Sequence, residues 1–172
     1  MDTDAAKKLM KKCVDNTMTF EEIEHLFSED DNIPRCVCNL DKYPKLNDYF
    51  KEYFKIVDIN ADLHYYSGWT FLHFVSRYQF GKNTEQLVKM CIDYGANVNL
   101  IDNHNRTPLF LIIERTLNPS RKNIIEMLIR AGSDIFNIRS HSNNKTVYDC
   151  MSDELREYFQ LDLETKTVGF LT

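Results

Sequence analysis

An all-α architecture of stacked helix pairs follows from three features of this 172-residue sequence. A two-helix pattern recurs without gaps, each copy opens on a threonine, and each copy closes on a glycine. The first copy runs Ser67-Gly-Trp-Thr-Phe-Leu-His to Tyr94-Gly-Ala-Asn-Val-Asn99, and the second His104-Asn-Arg-Thr-Pro-Leu-Phe to Ala131-Gly-Ser-Asp-Ile-Phe136. Thr70 pairs with Thr107, Leu72 with Leu109, Gly95 with Gly132 and Asn97 with Asp134, always 37 positions apart.

Each element of the copy has a physical cause. Thr70 and Thr107 are helix caps, because a threonine hydroxyl accepts an otherwise orphaned N–H of the first turn. Pro108 sits at the first helical position, where the missing N–H is harmless. Phe71-Leu-His-Phe-Val-Ser and Pro108-Leu-Phe-Leu-Ile-Ile form short apolar first helices. The second helix is amphipathic: Glu85, Gln86, Lys89 and Asp93 face out, Leu87, Val88, Met90, Cys91 and Ile92 face in. Ile124, Ile125, Met127, Leu128 and Ile129 repeat that inner stripe. Gly95 and Gly132 end it, since glycine accepts the left-handed conformation of a helix stop. One such pair cannot bury its apolar side alone, so neighbours must stack.

These residues resemble the ankyrin repeat. Gly68-Trp-Thr-Phe-Leu-His is similar to its G-x-T-P-L-H opening, and Tyr94-Gly-Ala-Asn-Val-Asn to its G-A-D-V-N close. The resemblance implies an all-α ankyrin-repeat solenoid. Against the usual 33 residues, each copy here carries four more, expected between the helices at 77–84 and 114–121. Phe71 replaces the signature proline and Phe110 the signature histidine. The resemblance implies that His73 fixes the repeat start by hydrogen bonds to the backbone. It also puts Asn99 at the position that asparagine hydroxylases modify in some members.

The array has expected ends. Val57-Asp-Ile-Asn-Ala61 closes a degenerate repeat that has lost its glycine, with Leu46, Tyr49, Phe50, Tyr53 and Phe54 at helical spacing before it. Thr19-Phe-Glu-Glu22 is a capping box for a helix over 20–27, residues 29–44 are a long linker, and a further helix covers 4–14. Downstream, Thr146 caps a third pair whose second helix, 152–159, has a polar outer face. Residues 161–172 are a packed strap or a loose tail. The organisation is thus an atypical N-terminal helical cap with a degenerate repeat over 1–56, repeats over 57–160 and a tail over 161–172.

Composition narrows the function. Net charge is −5 and the pI about 5.5, against a general nucleic-acid binder. No apolar run approaches the ~20 residues that span a bilayer, and the N-terminus lacks a secretory pattern. Five cysteines, odd in number and partly in apolar helices, fit a reducing compartment. The expected location is therefore cytoplasmic, with the nucleus as an addition. Cys36-x-Cys38 with His25 or Cys13 has the wrong spacing for a structural zinc. No nucleophile motif or phosphate loop occurs, so no enzyme, metal or cofactor is expected.

The inter-repeat turns carry the functional signal. His64, Tyr65, Tyr66 and Trp69 place three aromatics within five positions, and exposed Tyr and Trp anchor protein interfaces. Asn103, His104 and Arg106, then His141 and Asn143, are the later turns; Phe80 lies in the first inserted loop. The expected partner is a protein, with no nucleic acid and no membrane. Richness in Asn, Lys, Ile and Tyr, with lengthened repeats, is similar to ankyrin proteins of large DNA viruses and intracellular bacteria. That similarity implies a modulator that inhibits a host signalling protein, of the NF-κB pathway for example. The alternative is an adaptor such as a ubiquitin-ligase recruiter, although no F-box-like segment occupies 161–172.

Overall fold

The computed structural model describes residues 50–51, 54–55, 58–62, 67–78, 82–114, 120–162 and 164–169. Three helix pairs follow in order: α1 (Phe71–Tyr78) with α2 (Lys82–Asp93), α3 (Pro108–Ile113) with α4 (Ser120–Arg130), and α5 (Val147–Cys150) with α6 (Asp153–Tyr158). First helices pack on first helices, α1 against α3 and α3 against α5, while α2 packs on α4. A shared apolar seam results. All six residues of α3 are buried, as are Phe71, Leu72, Phe74 and Val75 of α1. The second helices supply Leu87, Val88 and Cys91, then Ile124, Ile125 and Leu128. Helical residues Phe50 and Phe54 extend the seam upstream. Their rings pack on Phe71 at 5.4 and 5.1 Å between centroids.

The helix ends match their sequence signals. Thr107 Oγ1 accepts the Phe110 N–H at 3.2 Å. Thr146 and Asp149 form a reciprocal capping box. Both second helices end in the same glycine motif. The Gly95 N–H donates to the Ile92 carbonyl and the Ala96 N–H to Cys91; Gly132 and Ser133 repeat this on Ile129 and Leu128. Gly95 and Gly132 have φ of 85° and 93°, so these are Schellman stops that consume the last helical carbonyls.

One expectation of the fold needs correction. The extra length of the first copy is not a loop over 77–84. Helix α1 continues through Arg77 and Tyr78, and α2 already begins at Lys82. No glycine or proline stands at 77–78 or 82–84 to stop either helix. Of the two forms expected for the C-terminal segment, the described residues take the packed strap. It forms a hairpin of two-residue strands, β1 (Leu161–Asp162) paired antiparallel with β2 (Thr167–Val168). Leu161 and Val168 pack against the core, and Lys166 Nζ donates to Asn137 Oδ1 at 2.6 Å, so the strap is a packed one. The expected helices over 4–14 and 20–27 and the 29–44 linker lie outside the described residues, as do Leu46, Tyr49, Tyr53, Cys13, His25, Cys36 and Cys38.

Candidate interaction surface

Between helix pairs the chain makes fingers, and the second finger shows how they are held. Asp102 closes it: its N–H donates to the Arg106 carbonyl at 3.0 Å. Asp102 Oδ1 accepts the N–H groups of His104 and Arg106, each at 2.9 Å. Oδ2 accepts Arg106 Nε at 2.9 Å, Arg106 Nη2 at 2.7 Å and Trp69 Nε1 at 3.0 Å. Burial alone would raise the carboxyl pKa. The hydrogen bonds and charge of Arg106, with the Trp69 N–H, outweigh it and hold the group below its ordinary value. Five donors on one carboxylate fix the finger's backbone before anything binds it.

His73 ties this finger to α1. The Thr70 N–H donates to Nδ1 at 3.2 Å, which leaves the proton on Nε2, 3.0 Å from the Arg106 carbonyl. Burial of the ring pushes its pKa below the ordinary 6.5, consistent with this neutral tautomer. The backbone-fixing role implied for His73 is therefore what the geometry displays. Phe110, at the corresponding place, can make no such bond.

Neighbouring fingers join edge to edge. The Asn103 N–H donates to the Ser67 carbonyl at 2.8 Å, and the His141 N–H to the His104 carbonyl at 2.9 Å. Asn105 Nδ2 reaches the Arg139 carbonyl at 2.6 Å. The third finger lacks the Asp–Arg clamp. There Ser140 N–H donates to the Lys145 carbonyl, and Ser140 Oγ, buried, accepts from the Ser142 N–H at 3.3 Å.

At the base of the turns runs a second ladder. Asn99 Nδ2 donates to the Gly132 carbonyl at 2.9 Å, and Asn99 Oδ1 accepts the Asp134 N–H at 2.7 Å. Asn60 repeats this on Gly95 and Asn97. Asn99 thus uses both ends of its amide to join one helix stop to the next turn.

The residues expected to contact a partner separate into three groups. Asn103, His104, His141 and Asn143 are exposed on the second and third fingers. Trp69 and Arg106 are held inward. Trp69 is only 8% exposed, so the exposed anchor expected there is corrected: the indole packs inside and spends its N–H on Asp102. Arg106 has a side chain 17% exposed and engaged by Asp102 and, at 3.5 Å, by Glu114. His64, Tyr65, Tyr66 and Phe80 lie outside the described residues. Sequence reasoning missed Asp102, although its signal was readable: an aspartate four before an arginine in a turn that follows Asn97-Val-Asn99. It also missed Ile101, an apolar side chain 48% exposed beside the finger.

No group of three or more His, Cys, Asp or Glu side chains among the described residues is placed to hold a metal ion. No helix among them is long and apolar enough to cross a membrane. Residues 67–103 match the family model described as Ankyrin repeat. That span covers α1, α2 and the start of the second finger. No curated protein matches the chain.

Proposed function

We propose, on the premise that this chain belongs to the ankyrin-repeat family, that it docks one protein partner along the tips of its fingers. Ankyrin repeats are generally protein–protein interaction modules and typically not enzymes. The observation that carries the reading is how the finger backbones are used. In the second finger every N–H from Asp102 to Arg106 has an acceptor within the turn or on its neighbour. The side chains of Asn103, His104, His141 and Asn143 are exposed on a preformed frame, and a preformed frame lowers the ordering cost of binding. The partner we infer is a host signalling protein that the chain masks, in line with the resemblance to viral and bacterial modulators. Host cytoplasm, with access to the nucleus, is the matching location.

Affinity purification from candidate host cells tests this, comparing the wild type with an Asn103/His104/His141/Asn143 quadruple-alanine variant. The four side chains are exposed and Asn143 holds a backbone N–H, that of Lys145, so the variant should stay folded with a small fall in thermal midpoint and lose its partner by tenfold or more. Equal recovery by both proteins would place the partner elsewhere on the chain.

A further inference from the structure

We propose that the second and third fingers receive an acidic, extended segment of the partner protein; this rests on the docking reading above. The charged side chains of positions 101–106 and 138–145 are Asp102, Arg106, Arg139 and Lys145. Asp102 is the sole carboxylate among them, and it is withdrawn, its side chain fully buried and bound by Arg106. The tips therefore show no carboxylate of their own, in a chain of net charge −5. Lys145 is exposed and has no ion-pair partner among the described residues. Arg139 keeps 53% of its side chain exposed, with one contact to Asp149 at 3.3 Å and one to the Asn144 carbonyl at 2.8 Å. The nearby carboxylates Glu114 and Asp149 are each already engaged by an arginine. Asp62 lies ahead of the first finger, outside this pair.

The uncharged groups lean the same way. Asn143 spends its Oδ1 on the Lys145 N–H at 3.0 Å, leaving its NH2 as the outward group. His104 and His141 stand on adjacent tips joined by a backbone hydrogen bond, and each imidazole offers a ring N–H. Two cations, the outward Asn143 NH2 and the imidazole N–H groups, with no exposed carboxylate among positions 101–106 and 138–145, favour carboxylates and carbonyls opposite them. Ile101, exposed at the edge, suits an apolar residue within that acidic stretch. An acidic protein segment is favoured over a nucleic acid because the patch is small within an acidic chain. At the C-terminal end the exposed charge is mostly acidic, with Asp153, Glu154, Glu157, Asp162 and Glu164 beside Lys166.

Fluorescence anisotropy with the full chain tests the proposal. The probe is a short labelled peptide of glutamates interrupted by leucines, compared with its lysine counterpart and a single-stranded oligonucleotide. The glutamate peptide should bind best, weaken with added salt, and weaken about tenfold on Lys145→Glu or on Lys145→Glu with Arg139→Gln. Lys89→Glu, on the solvent face of α2, should leave it unchanged. Thermal midpoints verify that the variants fold. Equal or tighter binding of the lysine peptide or the oligonucleotide overturns the proposal, as does indifference to Lys145→Glu. If a captured partner is lost by the quadruple-alanine variant but kept by Lys145→Glu, acid recognition falls while finger docking stands. If neither variant loses it, both fall.

Discussion

His73 shows how much one side chain can decide in this protein. Its neutral ring accepts from Thr70 in its own repeat and donates toward Arg106 in the next. The first bond requires Nδ1 to be unprotonated, whereas Nε2 donates in either state, and the charges of Asp102 and Arg106 act with opposite sign on the protonation. Because burial lowers the folded pKa below 6.5, the unfolded chain binds the proton first as pH falls. Stability is then fully present above the unfolded value and declines as pH drops through 6.5 toward the folded value. Urea midpoints at pH 7.5 and 5.5 should therefore fall for the wild type. The His73→Gln variant should show a smaller fall, the difference amounting to at most about 1.4 kcal/mol. Asp102 does not titrate in that window, since its pKa is held below 3.8. Identical slopes for the two proteins would remove His73 as the source.

At the level of elements, the glycines separate two kinds of constraint. Gly95 and Gly132 lie in left-handed backbone with open space where a Cβ would stand. Gly68, with φ of 81°, also stops the first finger short of the second: a Cβ there would meet Asn103 Oδ1 at 2.6 Å and the Asn103 backbone N at 3.2 Å. The side-chain oxygen can swing aside, but the backbone nitrogen is held by its bond to Ser67. Gly95→Ala should therefore cost about 1 kcal/mol, the conformational term alone. Gly68→Ala should cost more and should accelerate hydrogen exchange at the Asn103 amide. Equal losses in chemical denaturation would mean that the finger contact adds no strain.

Across the whole molecule the repeats act as a row in which each pair leans on its neighbours. The row closes on a shortened third pair, where α5 is four residues and α6 six. Met151, Leu155 and Phe159 fill the end of the seam, and the hairpin follows directly. Arg156 secures this end by donating to the Tyr148 carbonyl at 2.9 and 3.1 Å with its guanidinium over the Tyr148 ring. Phe159 has no exposed surface, so Phe159→Ala should cost about 3–5 kcal/mol. Hydrogen exchange should then open α5 and α6 before α1 and α2. Uniform acceleration along the chain would mean that the end is coupled to every pair alike.

The local signals in the chain were enough for the repeat, its caps and its glycine stops. A threonine cap or a left-handed glycine acts over a few residues, and an inner stripe such as Leu87, Val88 and Cys91 is visible in order. Exposure of Asn103, His104, His141 and Asn143 was also legible, because polar turn residues between apolar helices face water. What required the tertiary structure was the fate of residues that meet across repeats. Trp69 reads as an interface anchor until Asp102, 33 positions later, takes its N–H. The C-terminal hairpin shows no helical period, and its order comes from packing of Leu161 and Val168 on a core made elsewhere. Sequence spacing encodes what a residue does to its own turn. Which neighbour satisfies a buried donor is decided only when distant segments are brought together.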